Sequence, residues 1–124
     1  MNRVLSALVL LTGMLFIFTG VQWLVVPADV APQFGLTLDG GRGLSSQVGD
    51  MSGFFLTLGL CALLALTLKE RVWYYPAILL LSLTALGRCL AWLVHDAAFA
   101  VDLIAPEVLV SILYGLAARR LADK

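Results

Sequence analysis

The stretch QVGDMSGFFLTLGLCALLALTL, residues 47–68, decides the fold class of this chain, and Asp50 is its only charged residue. A bilayer core about 30 Å thick is crossed by about 20 mainly apolar helical residues. The stretch therefore predicts a membrane-spanning helix. Three further segments meet or approach the same length, at residues 5–26, 73–94 and 103–118.

The composition of the whole chain agrees with this prediction. Of 124 residues, 61% are hydrophobic and 13% are charged, whereas a soluble domain has about 25% charged residues. No linker, charge block or internal repeat divides the chain. The sequence predicts an all-α membrane protein, with residues 1–124 forming a single four-transmembrane-helix bundle. We expect the lipid bilayer as a partner because of this hydrophobic composition, and no nucleic acid because the formal net charge is 0.

Basic residues predict the orientation of the bundle. With four spans, six of them flank the helices on one side and only Arg42 lies opposite; the six are Arg3, Lys69, Arg71, Arg119, Arg120 and Lys124. Short cytoplasmic segments carry an excess of Lys and Arg. Both termini are therefore predicted to be cytoplasmic.

Three ionisable residues lie inside the apolar segments at similar depth. With a rise of about 1.5 Å per residue, Asp50, Arg88 and Glu107 lie about 4, 9 and 6 Å inside the same membrane face. Charges in hydrocarbon normally pair and mark a site. We expect a buried salt bridge from Arg88 to Asp50, Glu107 or both. The triad would carry a charge of −1, so a carboxyl group binds a proton, or His95 or Arg42 supplies the positive charge.

Other polar residues extend the predicted ligand-binding site to Gln22, Gln47 and His95. Gln22 lies in the first span at the depth of the triad, Gln47 begins the second span, and His95 follows Arg88 by two helical turns. The connection at residues 27–46 either covers this site as a lid or simply joins two helices. A polar lock that fixes the helix order is the alternative to a ligand site.

Motifs for catalysis or for a bound group are lacking in the sequence. There is no nucleophile elbow, phosphate loop or metal-ligand spacing. We therefore predict no metal and no cofactor, and the catalytic residues, if any, stay unknown. Cys61 and Cys89 would lie about 13 Å apart in depth, too far for a disulfide.

The pattern GLSSQVGD at residues 43–50, followed by Gly87-Arg88, His95 and Glu107, resembles a known family. It is similar to the small four-helix bacterial membrane proteins grouped as domain of unknown function 4345, over nearly the whole chain. The resemblance implies a multi-pass protein of the bacterial cytoplasmic (inner) membrane. It implies no activity.

Three classes of function stay open. The favoured one is a membrane protein whose outer-leaflet polar site binds or helps to transport a small polar molecule, a proton or a lipid headgroup. The second is a structural accessory subunit of a larger membrane complex, or a homo-oligomer, in which the charges lock the helices. The third and least favoured is an intramembrane enzyme, in which His95, Asp50 or Glu107 acts as a general acid or base on a lipophilic substrate.

Overall fold

A computed structural model describes the whole chain, Met1–Lys124, which is helical and contains no strand. Four of its five α-helices are long and apolar enough to cross a membrane. In chain order the helices are α1 (Asn2–Val25), α2 (Pro27–Val30), α3 (Gly41–Leu68), α4 (Tyr75–Val94) and α5 (Val101–Arg120), with 3₁₀ turns at Ala31–Phe34 and Arg71–Tyr74. The prediction of an all-α chain with four long apolar helices is confirmed.

Helix α3 begins at Gly41 and not at residue 47, so the preceding connection is shorter than predicted. Gly41 has a φ of 53°, which glycine adopts without steric cost. Gln47 then reaches back from the helix to this connection. Its Oε1 accepts from the backbone N–H of Asp39 at 2.8 Å, and its Nε2 donates to the carbonyl oxygen of Thr37 at 2.9 Å. The other three spans differ from their predicted bounds by three residues or fewer.

Helices α1 and α3 form a tightly packed hairpin because glycine lies at their contact. A Cβ atom on Gly59 would lie 2.6 Å from the carbonyl oxygen of Gly13 and would overlap Ile17. A Cβ atom on Gly20 would lie 2.7 Å from Cγ of Leu56. In lipid, helices associate largely through such close packing, because apolar side chains gain little by exchanging lipid for protein.

Two other glycines of α3, Gly49 and Gly53, lie outside this contact. Gly49 and Gly53 have the GxxxG spacing that suits close helix packing. A Cβ atom on either residue would meet nothing within 4 Å. The chain therefore leaves this packing surface unused.

Helices α4 and α5 form the second hairpin, in which Ser82 Oγ donates to Ser111 Oγ at 3.3 Å. The two hairpins meet at a hydrogen bond between Thr12 of α1 and Tyr114 of α5, whose hydroxyl oxygens lie 2.7 Å apart. Tyr114 is fully buried. This bond joins α1 to α5 in the interior of the bundle.

Both termini and the α3–α4 turn lie together at one end of the bundle, here called the terminal end. The backbone N–H of Arg71 donates to the carbonyl oxygen of Lys124 at 2.6 Å. The backbone N–H of Asp123 donates to the carbonyl oxygen of Lys69 at 2.8 Å. The six basic residues that flank the helices on one side lie at or near this end, and they are Arg3, Lys69, Arg71, Arg119, Arg120 and Lys124. Arg42, in the first turn of α3, lies at the opposite end, here called the loop end.

The exterior of the bundle is apolar. Only 21 of the 124 residues are buried, and most large hydrophobic side chains of the long helices point outward. Soluble monomers rarely expose such continuous apolar surface. The long helices and this exterior together indicate a multi-pass membrane protein.

Replacing Gly59 with alanine should loosen the first hairpin. The added methyl group overlaps Ile17 and the backbone of Gly13, so Gly59→Ala is expected to lower the free energy of unfolding by roughly 1–3 kcal/mol. Gly53→Ala, on the same helix, adds the same group to open space. Both changes gain the same helix propensity, so the difference in stability between the two variants reports the cost of the overlap at Gly59. Thermal unfolding in detergent measures this difference. Equal unfolding midpoints in the two variants would contradict the close contact at Gly59.

Candidate functional site

A cavity of about 310 Å³ lies between the two hairpins, at the lower end of the range of about 300–1,000 Å³ for small-molecule pockets. Side chains of α1 and α3 line one side, and side chains of α4 and α5 line the other. Leu15, which belongs to the lining, is 53% exposed. The cavity therefore opens towards the lipid-facing surface.

Arg88 of α4 and Glu107 of α5 form the one salt bridge of the structure, and both line the cavity. Arg88 Nε donates to both carboxylate oxygens, at 3.0 and 3.2 Å. Arg88 lies six residues before the end of α4 and Glu107 six residues after the start of α5, so each is about 9 Å from the loop end of its helix. The prediction that Arg88 pairs with a carboxylate at matched depth is confirmed for Glu107.

The salt bridge is not buried, contrary to the sequence prediction. The side chains of Arg88 and Glu107 are 28% and 11% exposed. The pair borders the cavity, so part of each side chain has no protein against it. Arg88 uses only Nε for Glu107, and neither of its Nη groups donates to a protein acceptor.

Asp50 does not join the pair, so of the alternatives that the sequence left open for Arg88, which were Asp50, Glu107 or both, the structure shows Glu107 alone. Its side chain is exposed, makes no ion pair or hydrogen bond, and does not line the cavity. Phe55, five residues later, is buried, and five residues correspond to a rotation of about 140° on a helix. Asp50 therefore lies on a different face of α3 from Phe55, and because α3 begins at Gly41 it lies about 14 Å, and not about 4 Å, from the loop end of its helix. Without Asp50 the pair is neutral, and the expected charge of −1 does not arise.

The other three predicted site residues also lie outside the cavity lining. Gln47 uses its amide to hold the connection before α3, which is a structural task. Gln22 is half-buried and His95 is exposed at the end of α4, and neither makes a side-chain hydrogen bond. Of the six predicted ligand-binding residues, the structure brings only Arg88 and Glu107 together at the cavity.

Four of the six phenylalanines of the chain line the cavity, and the sequence analysis did not identify them. The ring of Phe55 lies 6.1 Å from Phe16, 5.2 Å from Phe34 and 5.0 Å from Phe54, measured between centroids. The adjacent pair Phe54-Phe55 in the second apolar segment was the sequence signal that could have indicated an aromatic surface. The cavity is therefore mainly aromatic and aliphatic.

The connection between α1 and α3 reaches the cavity, and its role as a lid stays a prediction. Its 3₁₀ turn contributes Gln33 and Phe34 to the lining. The Phe34 ring lies 6.1 Å from that of Trp23, which is fully buried. Thr19 adds a hydroxyl group to the lining, although it already donates to the carbonyl oxygen of Leu15 at 2.9 Å.

Groups suited to metal or redox chemistry do not gather at this site. No three His, Cys, Asp or Glu side chains lie close enough together to hold a metal ion. Cys61 and Cys89 are both free and half-buried.

No protein-family model matches the chain, and comparisons with curated proteins and with solved structures find no match. The resemblance to domain of unknown function 4345 therefore stays a prediction.

A double-mutant cycle on Arg88 and Glu107 should reveal their interaction. We expect Arg88→Met and Glu107→Gln to be coupled by roughly 0.5–3 kcal/mol, as is usual for residues in contact. The matched cycle of Arg88→Met with Asp50→Asn should give a coupling near zero, because Asp50 has no contact with Arg88. Unfolding of the purified variants in detergent measures both cycles. Equal coupling in the two cycles would contradict a specific Arg88–Glu107 contact, and a larger coupling with Asp50 would show that the pair has been assigned to the wrong carboxylate.

Proposed function

We propose that this small integral membrane protein binds, or helps to transport, a small molecule whose polar group is held by Arg88 and Glu107. The observation that carries the proposal is the cavity between the hairpins, which has this ion pair in an otherwise mostly apolar lining. Ligand pockets are typically apolar spaces with a few polar groups that orient the bound molecule. A cavity of about 310 Å³ favours a molecule over a proton among the ligands that the sequence left open.

The incomplete bonding of Arg88 supports a ligand site over a helix lock. A lock is most effective when every donor and acceptor of a buried pair is satisfied, since unsatisfied polar groups are costly away from water. Here the two Nη groups have no protein acceptor, and the side chain borders open space. The pair can hold α4 to α5 and still offer donors to a ligand.

A structural accessory subunit or a homo-oligomer is the second candidate, and the outward face of α3 favours it. Gly49, Asp50 and Gly53 are all exposed, and both glycines have open space beside them. A helix of another chain could approach this face closely. Asp50 would then find a partner that its own chain does not supply.

The enzyme hypothesis has the least support from the arrangement. Of its three acid–base candidates, His95 and Asp50 lie outside the cavity lining, and Glu107 accepts two hydrogen bonds from Arg88 Nε. Glu107 is thus the single acid–base group that a molecule in the cavity would meet.

We further propose that the protein lies in the bacterial cytoplasmic (inner) membrane with its terminal end in the cytoplasm. The gathering of six basic residues at that end supports this orientation, because Lys and Arg are retained on the cytoplasmic side. The ion pair, nearer to the loop end, would then lie in the outer leaflet.

Cysteine labelling tests the orientation. In a background with Cys61→Ala and Cys89→Ala, Asp39→Cys at the loop end should react with a membrane-impermeant reagent added outside intact cells. Asp123→Cys at the terminal end should react only after the membrane is opened, because that end is expected in the cytoplasm. The reverse pattern would overturn the proposed orientation.

Filling the cavity tests the binding function. Val110 lines the cavity, so Val110→Phe should occupy the space of the bound molecule. Leu109→Phe is the matched control, because Leu109 is 65% exposed and lies outside the lining. We expect mass spectrometry of the purified proteins to find a small molecule with the wild type and with Leu109→Phe, and to find it depleted with Val110→Phe. Equal recovery from all three proteins would count against the cavity as the binding site.

A further inference from the structure

We infer that the cavity takes a neutral lipophile bearing a hydrogen-bond-accepting carbonyl group, and not an anion such as a fatty-acid carboxylate. The inference rests on the proposed binding function and names the class of its ligand. It is built from the donors that the protein leaves free, the charge of the ion pair and the nature of the lining.

The free polar groups at the cavity are dominated by donors. Each Nη of Arg88 carries two N–H groups, and none of these four donates to the protein. The Glu107 carboxylate already uses two of its about four acceptor positions on Nε. The exposed amide of Gln33 in the 3₁₀ turn can both donate and accept, so it favours neither kind of ligand. A molecule that brings an acceptor oxygen therefore fits this site best.

The charge of the site selects a neutral acceptor. Arg88 and Glu107 together are neutral, and they are the only ionisable residues of the lining. An anion bound there would leave a net negative charge in a space walled by apolar groups, where an uncompensated charge is costly. A neutral carbonyl accepts the same hydrogen bonds and leaves the charge balance unchanged.

The lining selects a lipophilic body. The rings of Phe16, Phe34, Phe54 and Phe55 line the same cavity as the ion pair, and each lies within 6.1 Å of another of these rings. Aromatic walls favour ring-bearing or chain-bearing apolar groups. The exposed Leu15 at the cavity edge marks the side through which a molecule dissolved in the membrane could enter.

Three probes that share one ring and one tail separate these requirements. They are methyl 4-decylbenzoate, which is neutral and has a carbonyl; 4-decylbenzoate, which is its anion; and decylbenzene, which has no acceptor. Each would be added at the same mole fraction to the protein in lipid nanodiscs, in mildly alkaline buffer that keeps the acid ionised. The shift in the thermal unfolding midpoint reports binding.

We expect the ester to stabilise the wild type most, with binding about tenfold tighter than that of decylbenzene, as one hydrogen bond to a charged donor implies. Glu107→Gln removes the balancing negative charge and should reverse the order, so that the anion becomes the stronger ligand. Asp50→Asn, which removes an exposed carboxylate outside the cavity, should leave the order of the wild type unchanged.

Several results would overturn the inference. A larger shift with the anion than with the ester in the wild type would exclude the neutral class, and equal shifts with the ester and decylbenzene would exclude the carbonyl contact. If the three probes kept the order of the wild type in a folded Glu107→Gln protein, the charge argument would be contradicted. If Glu107→Gln did not fold, the comparison of the three probes in the wild type would still test the ligand class. Anion binding that Val110→Phe abolishes would refute the ligand class and keep the cavity function. No shift with any probe would refute the ligand class, and equal recovery of small molecules in the Val110→Phe purification would then refute the cavity function.

Discussion

The close approach of α1 and α3 at Gly13, Gly20 and Gly59 is the constraint on which the rest of the structure depends. In lipid there is no hydrophobic gain in bringing two apolar helices together, so contact between their backbones has to supply the attraction. Within the chain, glycine makes that contact on one face of each helix, since Gly49 and Gly53 on the other face of α3 have open space beside them. Once these faces meet, the larger side chains of the pair, including Phe16 and Phe55, lie towards the second hairpin. The space between the hairpins is then walled by phenylalanine and not by glycine.

The second hairpin places two opposite charges in this space at the same level. A charged side chain in the membrane interior is tolerated when it is paired and faces the bundle or a cavity. Arg88 and Glu107 meet both conditions, because each lies about 9 Å from the loop end of its own helix and both border the cavity. The chain leaves the pair partly exposed, at 28% of the Arg88 side chain and 11% of that of Glu107. The same exposure leaves the Nη donors of Arg88 accessible to another molecule.

The proposed binding and the alternative of assembly are compatible in this fold, because they would use different surfaces. The cavity lies between the hairpins, whereas Gly49, Asp50 and Gly53 lie on the exposed side of α3. A partner helix on that side would approach α3 without lying among the residues that line the cavity. The accessory-subunit hypothesis is thus compatible with a ligand site.

Residue type and chain length alone determined the number of spans, the segregation of the basic residues and the matched depth of Arg88 and Glu107. These properties depend on hydropathy and on the rise of a helix, both of which are read along the chain. Rotation about each helix axis was decided only by the tertiary structure. It placed Asp50 outside the pair, turned Gln47 to the preceding connection, left Gln22 and His95 away from the cavity and brought four phenylalanines together. The physical reason is that helices made for lipid are apolar on nearly all sides, so the hydrophobic pattern does not identify the inward face. That face is selected by glycine contacts between residues distant in the sequence.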